Sequence, residues 1–242
     1  MLSRKPSAGG RDILYVALAE AIGEGGCPVC RCVEKAERNF LWTLLYEHAN
    51  DPHVRGKIIE GNGFCGYHFR RLIEIAGGDP LIGGLAPALI VENLLLKYVE
   101  SAEADARLET SCYACSELAK IEESYVSSFA SRLATTDLLN LYESNPKSLL
   151  CYRHYLEVRS RAPREAARRL KEVQLEKMRR LLGELRSYIA KHDYRFAGTI
   201  TESEASSWVR AVEAMKGSGW ASHRFSCAES AKRAARKLSR PR

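Results

Sequence analysis

Cys27-Pro28-Val29-Cys30 and, further on, Cys65-Gly66-Tyr67-His68 form a pattern that this chain of 242 residues uses twice. The second use is Cys112-Tyr113-Ala114-Cys115 followed by Cys151-Tyr152-Arg153-His154. The spacer is 34 residues in the first copy and 35 in the second. Three thiolates and one imidazole form a tetrahedral ligand set that suits zinc. We therefore predict one zinc site in each copy, with the ligands Cys27, Cys30, Cys65 and His68 in the first and Cys112, Cys115, Cys151 and His154 in the second.

The residues after each C-x2-C pair support an internal repeat of about 85 residues. Matching positions are Val33, Glu37, Phe40, Leu41 and Leu44 in the first copy, and Leu118, Glu122, Tyr125, Val126 and Phe129 in the second. Apolar residues three and four positions apart predict one buried helix face. Each C-x2-C pair is thus predicted at a helix start, and each C-x2-H pair at the start of another helix. The partial positive charge of a helix N-terminus favours thiolate over thiol.

Helical periodicity recurs along the whole chain and strand patterns are nearly absent, which predicts an all-α protein. We expect a duplicated helical module, with a zinc site between helix N-termini in each copy, followed by a C-terminal helical extension. The predicted segments are a first zinc-binding module (1–110), a second (111–162), a long basic helix with a docking helix (163–223) and a basic tail (224–242). Predicted helices cover 11–22, 31–49, 52–60, 67–76, 80–108, 114–134, 136–144, 149–161, 164–193, 202–216 and 228–239. Pro87 is expected to kink its helix or to mark the true start.

Charge is unevenly distributed along the chain. Residues 1–152 carry a net charge of −5 and residues 153–242 a net charge of +12. Acidic residues accompany the bases of the long helix, which favours a solvated face there. The tail has few acids, and such tails bind anionic partners such as nucleic acid or acidic protein. Simple solubility is an equally good explanation. The candidate contact residues are Arg224, Lys232, Arg233, Arg236 and Lys237.

Buried thiols or disulfides are the alternative explanation for the cysteines. Buried thiols do not explain the paired histidines, and disulfides need an oxidising compartment or a hyperthermophile cytosol. Residues 13–22 are too short for a signal peptide and contain Glu20, and no run is long and apolar enough to span a membrane. We therefore expect a cytoplasmic protein with no membrane partner. Cys32 is expected to be a packed or free thiol, and Cys227 has no partner at metal-binding spacing.

Further residues carry a family resemblance. The two modules contain Cys27-Pro-Val-Cys30 with Gly63-Phe64-Cys65-Gly-Tyr-His68-Phe69, and Cys112-x-x-Cys115 with Cys151-x-x-His154; near the end come Asp193-Tyr194-Arg195-Phe196, Glu204 and Ser207-Trp208. Together they resemble an uncharacterised prokaryotic family, domain of unknown function 6062, over roughly Asp12 to Gly217. The second module departs from the pattern, because Leu149-Leu150 stands where Gly-Phe is expected. The resemblance implies a recurring design and no particular activity.

Three functions remain open at this point. The favoured one is a non-enzymatic, zinc-stabilised adaptor or binding protein with a protein, ribonucleoprotein or nucleic-acid partner, since closed zinc sites are structural. The second is an iron–sulfur or thiol-based redox protein or sensor, because three cysteines and one histidine can also hold a cluster. The third is a metalloenzyme with His68 or His154 as an exchangeable ligand and Glu34, Glu37 or Glu122 as a base. No catalytic residue is assigned.

Overall fold

The computed structural model describes residues 12–109, 111–193, 195 and 197–224. Helices make up most of these residues, which include no β-strand, so the all-α prediction is confirmed. The helices are α1 (Ile13–Glu24), α2 (Pro28–Tyr46), α3 (Pro52–Glu60), α4 (Gly66–Gly78), α5 (Leu85–Glu103), α6 (Tyr113–Arg132), α7 (Leu138–Ser144), α8 (Tyr152–Arg161), α9 (Arg164–Ala190), α10 (Glu202–Ala205) and α11 (Ser207–Lys216). A 3-10 turn lies at Ala197–Thr199, and residues 219–224 are also helical.

Local signals explain where several helices begin and end. Asp51 accepts a hydrogen bond from the backbone N–H of His53 and so caps α3, whose observed bounds match the prediction at both ends. The helix predicted over 80–108 begins only at Leu85, and Pro87 lies in its first turn, where a missing N–H costs no helical hydrogen bond. The helix predicted over 202–216 is interrupted at Ser206. The helix predicted over 228–239 lies outside the described residues.

The chain divides into two compact units. One, which we call the terminal unit, combines residues up to Cys32 with residues from Glu123 onward; the other, the central unit, is Val33–Glu122. Neither unit coincides with one of the segments predicted from the sequence, because each takes residues from both copies of the repeat. The division falls inside α2 and inside α6, so that each of these helices begins in one unit and ends in the other.

Each unit has its own core. In the terminal unit, α9 packs against α7, α8, α10 and α11, and α1 packs against α7. Its largest fully buried side chains include Leu18, Ile22, Phe129, Leu138, Tyr142, Leu150, Leu170 and Trp220. In the central unit, α5 packs against α3 and α4. Its core contains Leu41, Leu45, Ile58, Phe64, Leu72, Ile90 and Leu94. Among the described residues, no helix is both long and apolar enough to cross a membrane.

Candidate metal centres

The eight predicted ligands gather into two clusters, but the pairing differs from the prediction. The terminal cluster contains Cys27, Cys30, Cys151 and His154, and the central cluster contains Cys65, His68, Cys112 and Cys115. Within each cluster the ligand atoms all lie within 4.8 Å of one another, so each cluster could hold a metal ion. The expectation that each copy closes its own site is therefore wrong. Each C-x2-C pair meets the C-x2-H pair of the other copy.

The length of the helices that carry the C-x2-C pairs explains this exchange. α2 has 19 residues and α6 has 20, which corresponds to about 28–30 Å. Each helix carries the chain away from its own cysteine pair before the next ligands are reached. Cys30 instead meets Cys151, which is 121 positions away, and His68 meets Cys112 at 44 positions. Similar spacers in the two copies thus reflect the repeat and do not indicate which ligands share a metal.

One backbone hydrogen bond joins the ligand-bearing segments at the same relative position in both clusters, and the terminal cluster has a second. In the terminal unit, Gly26 N–H donates to the carbonyl of Lys147 at 2.8 Å, and Leu149 N–H donates to the carbonyl of Gly26 at 2.8 Å. In the central unit, Ser111 N–H donates to the carbonyl of Gly61 at 2.8 Å. The donors Gly26 and Ser111 each precede a C-x2-C pair. A Cβ atom at Gly61 would lie 2.2 Å from the Ser111 carbonyl oxygen, so this close approach requires glycine.

The distances within the two clusters are nearly equal. In the terminal cluster, His154 Nδ1 lies 3.4, 3.4 and 3.3 Å from the sulfur atoms of Cys27, Cys30 and Cys151. In the central cluster, His68 Nδ1 lies 3.3, 3.3 and 3.4 Å from those of Cys65, Cys112 and Cys115. The sulfur atoms of Cys30 and Cys151 are 3.8 Å apart, and those of Cys65 and Cys115 are 3.7 Å apart. A disulfide bond is about 2.05 Å long, so these pairs are not disulfides.

Helix N-termini meet at each cluster, as the sequence predicted. Cys65 is the N-cap residue of α4 and Cys151 that of α8, and neither side chain makes a capping hydrogen bond. Cys27 and Cys112 immediately precede α2 and α6. The unsatisfied N–H groups and the helix dipoles supply positive charge around the sulfur atoms. This arrangement stabilises thiolates.

The thiols and imidazoles of the two clusters perturb one another strongly. Hydrogen bonds with Cys112 and Cys115 lower the pKa of Cys65, whereas those with Cys112 and Cys65 raise the pKa of Cys115. Hydrogen bonds with its two partner thiols likewise lower the pKa of Cys151. Burial lowers the pKa of His68, but hydrogen bonds with Cys112 and Cys65 outweigh it and raise the value to about 11. A positive charge is thus favourable among these sulfur atoms, and a bound cation would supply that charge.

The sequence did not reveal that Glu37 supports His68. Glu37 is 1% exposed, and its Oε1 lies 3.3 Å from His68 Nε2, the nitrogen that faces away from the sulfur atoms. Its Oε2 accepts a hydrogen bond from the Tyr67 hydroxyl at 3.3 Å and lies 3.7 Å from Arg71 Nε. Burial and the negative charge of Glu37 raise the pKa of Tyr67. The sequence offered one indication of this role, which is the repeated position of the acid. Glu37 follows Cys30 by seven residues, and the equally buried Glu122 follows Cys115 by seven.

A buried polar network positions Cys151. The Tyr142 hydroxyl accepts from Leu150 N–H at 3.0 Å, and Gln174 Nε2 donates to the Leu150 carbonyl at 2.8 Å. Lys177 Nζ donates to the carbonyls of Tyr142, Asn145 and Ser148. The segment that delivers Cys151 is therefore held by side chains from α7 and α9. The network holds Leu150, which occupies the position in the second copy that Phe64 occupies in the first.

The other sequence candidates lie apart from the clusters. Cys32 is 2% exposed, and its thiol donates to the Ala17 carbonyl at 3.5 Å, so it is a packed thiol. The Arg224 guanidinium lies 5.3 Å from the centre of the Trp220 ring. The other four tail candidates, Lys232, Arg233, Arg236 and Lys237, fall outside the described residues.

The fold and the clusters define an all-helical protein with two Cys3His centres that could each hold a metal ion. Residues 92–222 match the model of a family of unknown function, DUF6062, and the chain belongs to this family. An uncharacterised 23.9 kDa protein in the xynA 3′ region of Caldicellulosiruptor sp. (strain Rt8B.4) is 27% identical over 209 residues, which cover 83% of this chain and 99% of that protein. No solved structure matches the chain.

Proposed function

We propose that each cluster holds one zinc ion and that the protein is a zinc-stabilised helical adaptor or binding protein. The observation that supports this most directly is the separation of the sulfur atoms. A Zn–S bond of about 2.3 Å in a tetrahedral site places two sulfur atoms about 3.8 Å apart; the sulfur atoms of Cys30 and Cys151 are 3.8 Å apart, and those of Cys65 and Cys115 are 3.7 Å apart. The ligand atoms therefore fit a single ion without rearrangement.

The ligand sets also favour a structural metal over a catalytic one. Each centre has four protein ligands, and a zinc site with four protein ligands leaves no open position for substrate or water. An iron–sulfur cluster contains several irons and bridging sulfides, so its ligands stand further apart than those of one ion. Thiolate ligands also persist best in a reducing compartment, which is why we place the protein in the cytoplasm.

Metal analysis of the purified full-length chain tests this proposal. We expect two zinc ions per chain by elemental analysis and by native mass spectrometry, and no absorbance in the visible range. Iron together with visible absorbance would replace the proposal by an iron–sulfur protein. A reproducible content of one metal in fully loaded protein would show that one of the two clusters is not a metal site.

The solvent face of α9 supports a second proposal, that the partner includes nucleic acid. Arg164, Lys171, Arg179 and Arg186 are exposed and recur every seven or eight residues, so they lie on one side of α9. Among the described residues, none of the four forms an ion pair. They extend over about 33 Å of the helix. This row of cations suits contacts with successive phosphates.

Salt-dependent binding to single-stranded RNA and duplex DNA tests this second proposal. We expect the triple variant Arg164→Gln/Lys171→Gln/Arg179→Gln to bind more weakly at low salt, with a log–log salt slope reduced by about 0.7–0.9 per lost contact. The control Arg153→Gln/Arg161→Gln/Arg169→Gln removes the same charge from arginines paired with Glu157, Glu123 and Glu143. Deletion of Arg224 to Arg242 measures the contribution of the tail. No binding by the full-length chain at low salt would eliminate nucleic acid and leave a protein partner.

A further inference from the structure

The two clusters differ in their accessibility to solvent. In the terminal cluster all four ligands are buried, and the largest exposed fraction is 6%, at Cys27. In the central cluster His68 and Cys112 are buried, but Cys65 and Cys115 are both partly exposed. The ligand sets and distances are nearly the same, so the difference lies in what covers the sulfur atoms.

The C-terminal extension provides the cover of the terminal cluster. A Cβ atom built on Gly217, directly after α11, would lie 3.3 Å from the sulfur of Cys30 and 3.7 Å from that of Cys151. The backbone at Gly217 therefore lies directly against two of the ligands. Gly217 has a φ of +78°, which suits glycine, and the neighbouring Trp220 is only 1% exposed.

The sulfur atoms of the two partly exposed cysteines of the central cluster are also close together. Those of Cys65 and Cys115 are 3.7 Å apart, so a movement of less than 2 Å would bring them to the disulfide distance of about 2.05 Å. Cys65 is the N-cap residue of α4, where the helix dipole stabilises its thiolate. An oxidant that approaches from solvent therefore meets the partly exposed residues Cys65 and Cys115 before the buried His68 and Cys112.

We propose that Cys65 and Cys115 are a thiol oxidation site, at which a peroxide forms a disulfide and releases the metal of the central cluster. One thiolate attacks a peroxide oxygen; the O–O bond breaks, and a sulfenic acid and hydroxide form. The second thiolate then attacks the sulfenic sulfur; the S–S bond forms and a second hydroxide leaves. The two sulfur atoms lose two electrons in total and the peroxide gains them. The metal loses two of its four ligands and leaves as the hydrated ion.

This inference rests on the proposed zinc content, and its test begins by measuring that content. Full-length protein that carries two zinc ions is treated with hydrogen peroxide while a chromogenic chelator follows zinc release and peptide mass spectrometry maps disulfides. We expect one equivalent of zinc to leave about tenfold faster than the second, in step with a Cys65–Cys115 disulfide. Less than two zinc ions before treatment would contradict the proposed function. Two ions that leave at equal rates, or a first loss from the terminal cluster, would overturn this inference alone.

Matched variants separate the reactive thiol from a general loss of stability. Cys65→His keeps four ligands, since two cysteines and two histidines also bind zinc, and we expect it to retain metal and to slow the first release. The control is Cys32→Ser, which removes a buried thiol outside both clusters and should leave the rate of the first release unchanged. A first release that is as fast in Cys65→His as in the unmodified chain, or a disulfide between Cys112 and Cys115 in its place, would overturn the assignment.

Discussion

The two ring nitrogen atoms of His68 face different partners. Nδ1 lies 3.3–3.4 Å from three sulfur atoms, and Nε2 lies 3.3 Å from the Glu37 carboxylate. A carboxylate at this position favours a proton on Nε2, and the Nδ1 lone pair would then be directed at a metal held by the three sulfur atoms. The Tyr67 hydroxyl donates to the same carboxylate at 3.3 Å and helps to fix it. The orientation of the fourth ligand thus depends on residues that do not themselves contact the metal site.

Glu37→Gln is expected to weaken zinc binding at the central cluster by about 10–100-fold. The amide keeps the size of the side chain but loses the negative charge that orients and polarises His68. Competition with a chromogenic chelator measures the affinities of the two ions separately. The control is Glu47→Gln, just beyond the end of α2, where the side chain is 55% exposed. Equal affinities in Glu37→Gln and in the control would show that Glu37 is a buried acid without influence on the metal.

At the scale of elements, α9 secures the segment that delivers Cys151. The Lys177 side chain donates to three backbone carbonyls at the end of α7 and in the following loop. The ammonium group has three N–H donors, so these carbonyls satisfy it completely. Residue 177 is only 6% exposed. Loss of this group leaves buried carbonyls unsatisfied and loosens the approach to the terminal cluster.

Lys177→Met should lower the free energy of unfolding by about 2 kcal/mol or more, because each buried carbonyl left without a hydrogen-bond donor costs about 1–3 kcal/mol. It should also hasten zinc release from the terminal cluster and leave the central cluster unchanged. Lys171→Met is the matched control, because Lys171 lies on the exposed face of the same helix. Urea denaturation and chelator-driven release give the two readouts. An equal effect of both substitutions would argue against a specific role for the buried ammonium group.

Glu204 connects α9 to the short helix α10. It completes a capping box with Thr201 and accepts hydrogen bonds from Lys191 Nζ at 2.8 and 2.9 Å. Hydrogen bonds with Lys191, Ser187 and Thr201 lower the pKa of Glu204 from 4.5 to about 2. A carboxyl group whose folded-state pKa is lowered stabilises the fold above its unfolded pKa, and this contribution is lost as the pH falls toward the folded value.

Glu204→Gln is therefore expected to lower the free energy of unfolding at pH 7, with a difference that narrows as the pH falls from about 4.5 toward 2. Glu202→Gln removes an exposed acid from the first turn of the same helix and should change the stability less. Urea denaturation of the variants and the unmodified chain at pH 7 and pH 3.5 tests this. A difference that does not depend on pH would mean that charge at Glu204 is not the cause.

At the scale of the whole molecule, the sequence pattern predicted which cysteines and histidines gather, but not how the two copies pair. Cys27, Cys30 and His68 could be recognised because metal ligands need fixed spacing within one helical turn, which is a local property. The partner of Cys30 depends on where a helix of 19 residues carries the chain, which no local pattern records. The break at Ser206 and the support from Glu37 also depend on tertiary packing. The all-helical class was predictable because periodicity is repeated in every segment.

The exchanged pairing makes the two copies of the repeat dependent on each other. Cys27 and Cys30 of the first copy need Cys151 and His154 of the second, and the reverse holds for the central cluster. Substitution of a cysteine in the first C-x2-C pair should therefore disrupt metal binding by Cys151 and His154, more than 100 residues away. It should leave the nearer pair, Cys65 and His68, unaffected. The exchanged pairing is therefore the central claim, and its consequences differ from those expected if each copy closed its own site.

Alkylation mapping of the full-length Cys30→Ser variant tests that claim most directly. Zinc-bound thiolates are protected from iodoacetamide, and peptide mass spectrometry compares the labelling rate of each cysteine with that in the unmodified chain. The exchanged pairing predicts that Cys151 becomes reactive together with Cys27, while Cys65 keeps its original rate. In the reciprocal variant, Cys115→Ser, Cys65 should react faster with iodoacetamide and Cys151 should remain protected. Faster labelling of Cys65 in Cys30→Ser, with Cys151 still protected, would contradict the structure and restore a metal site within each copy.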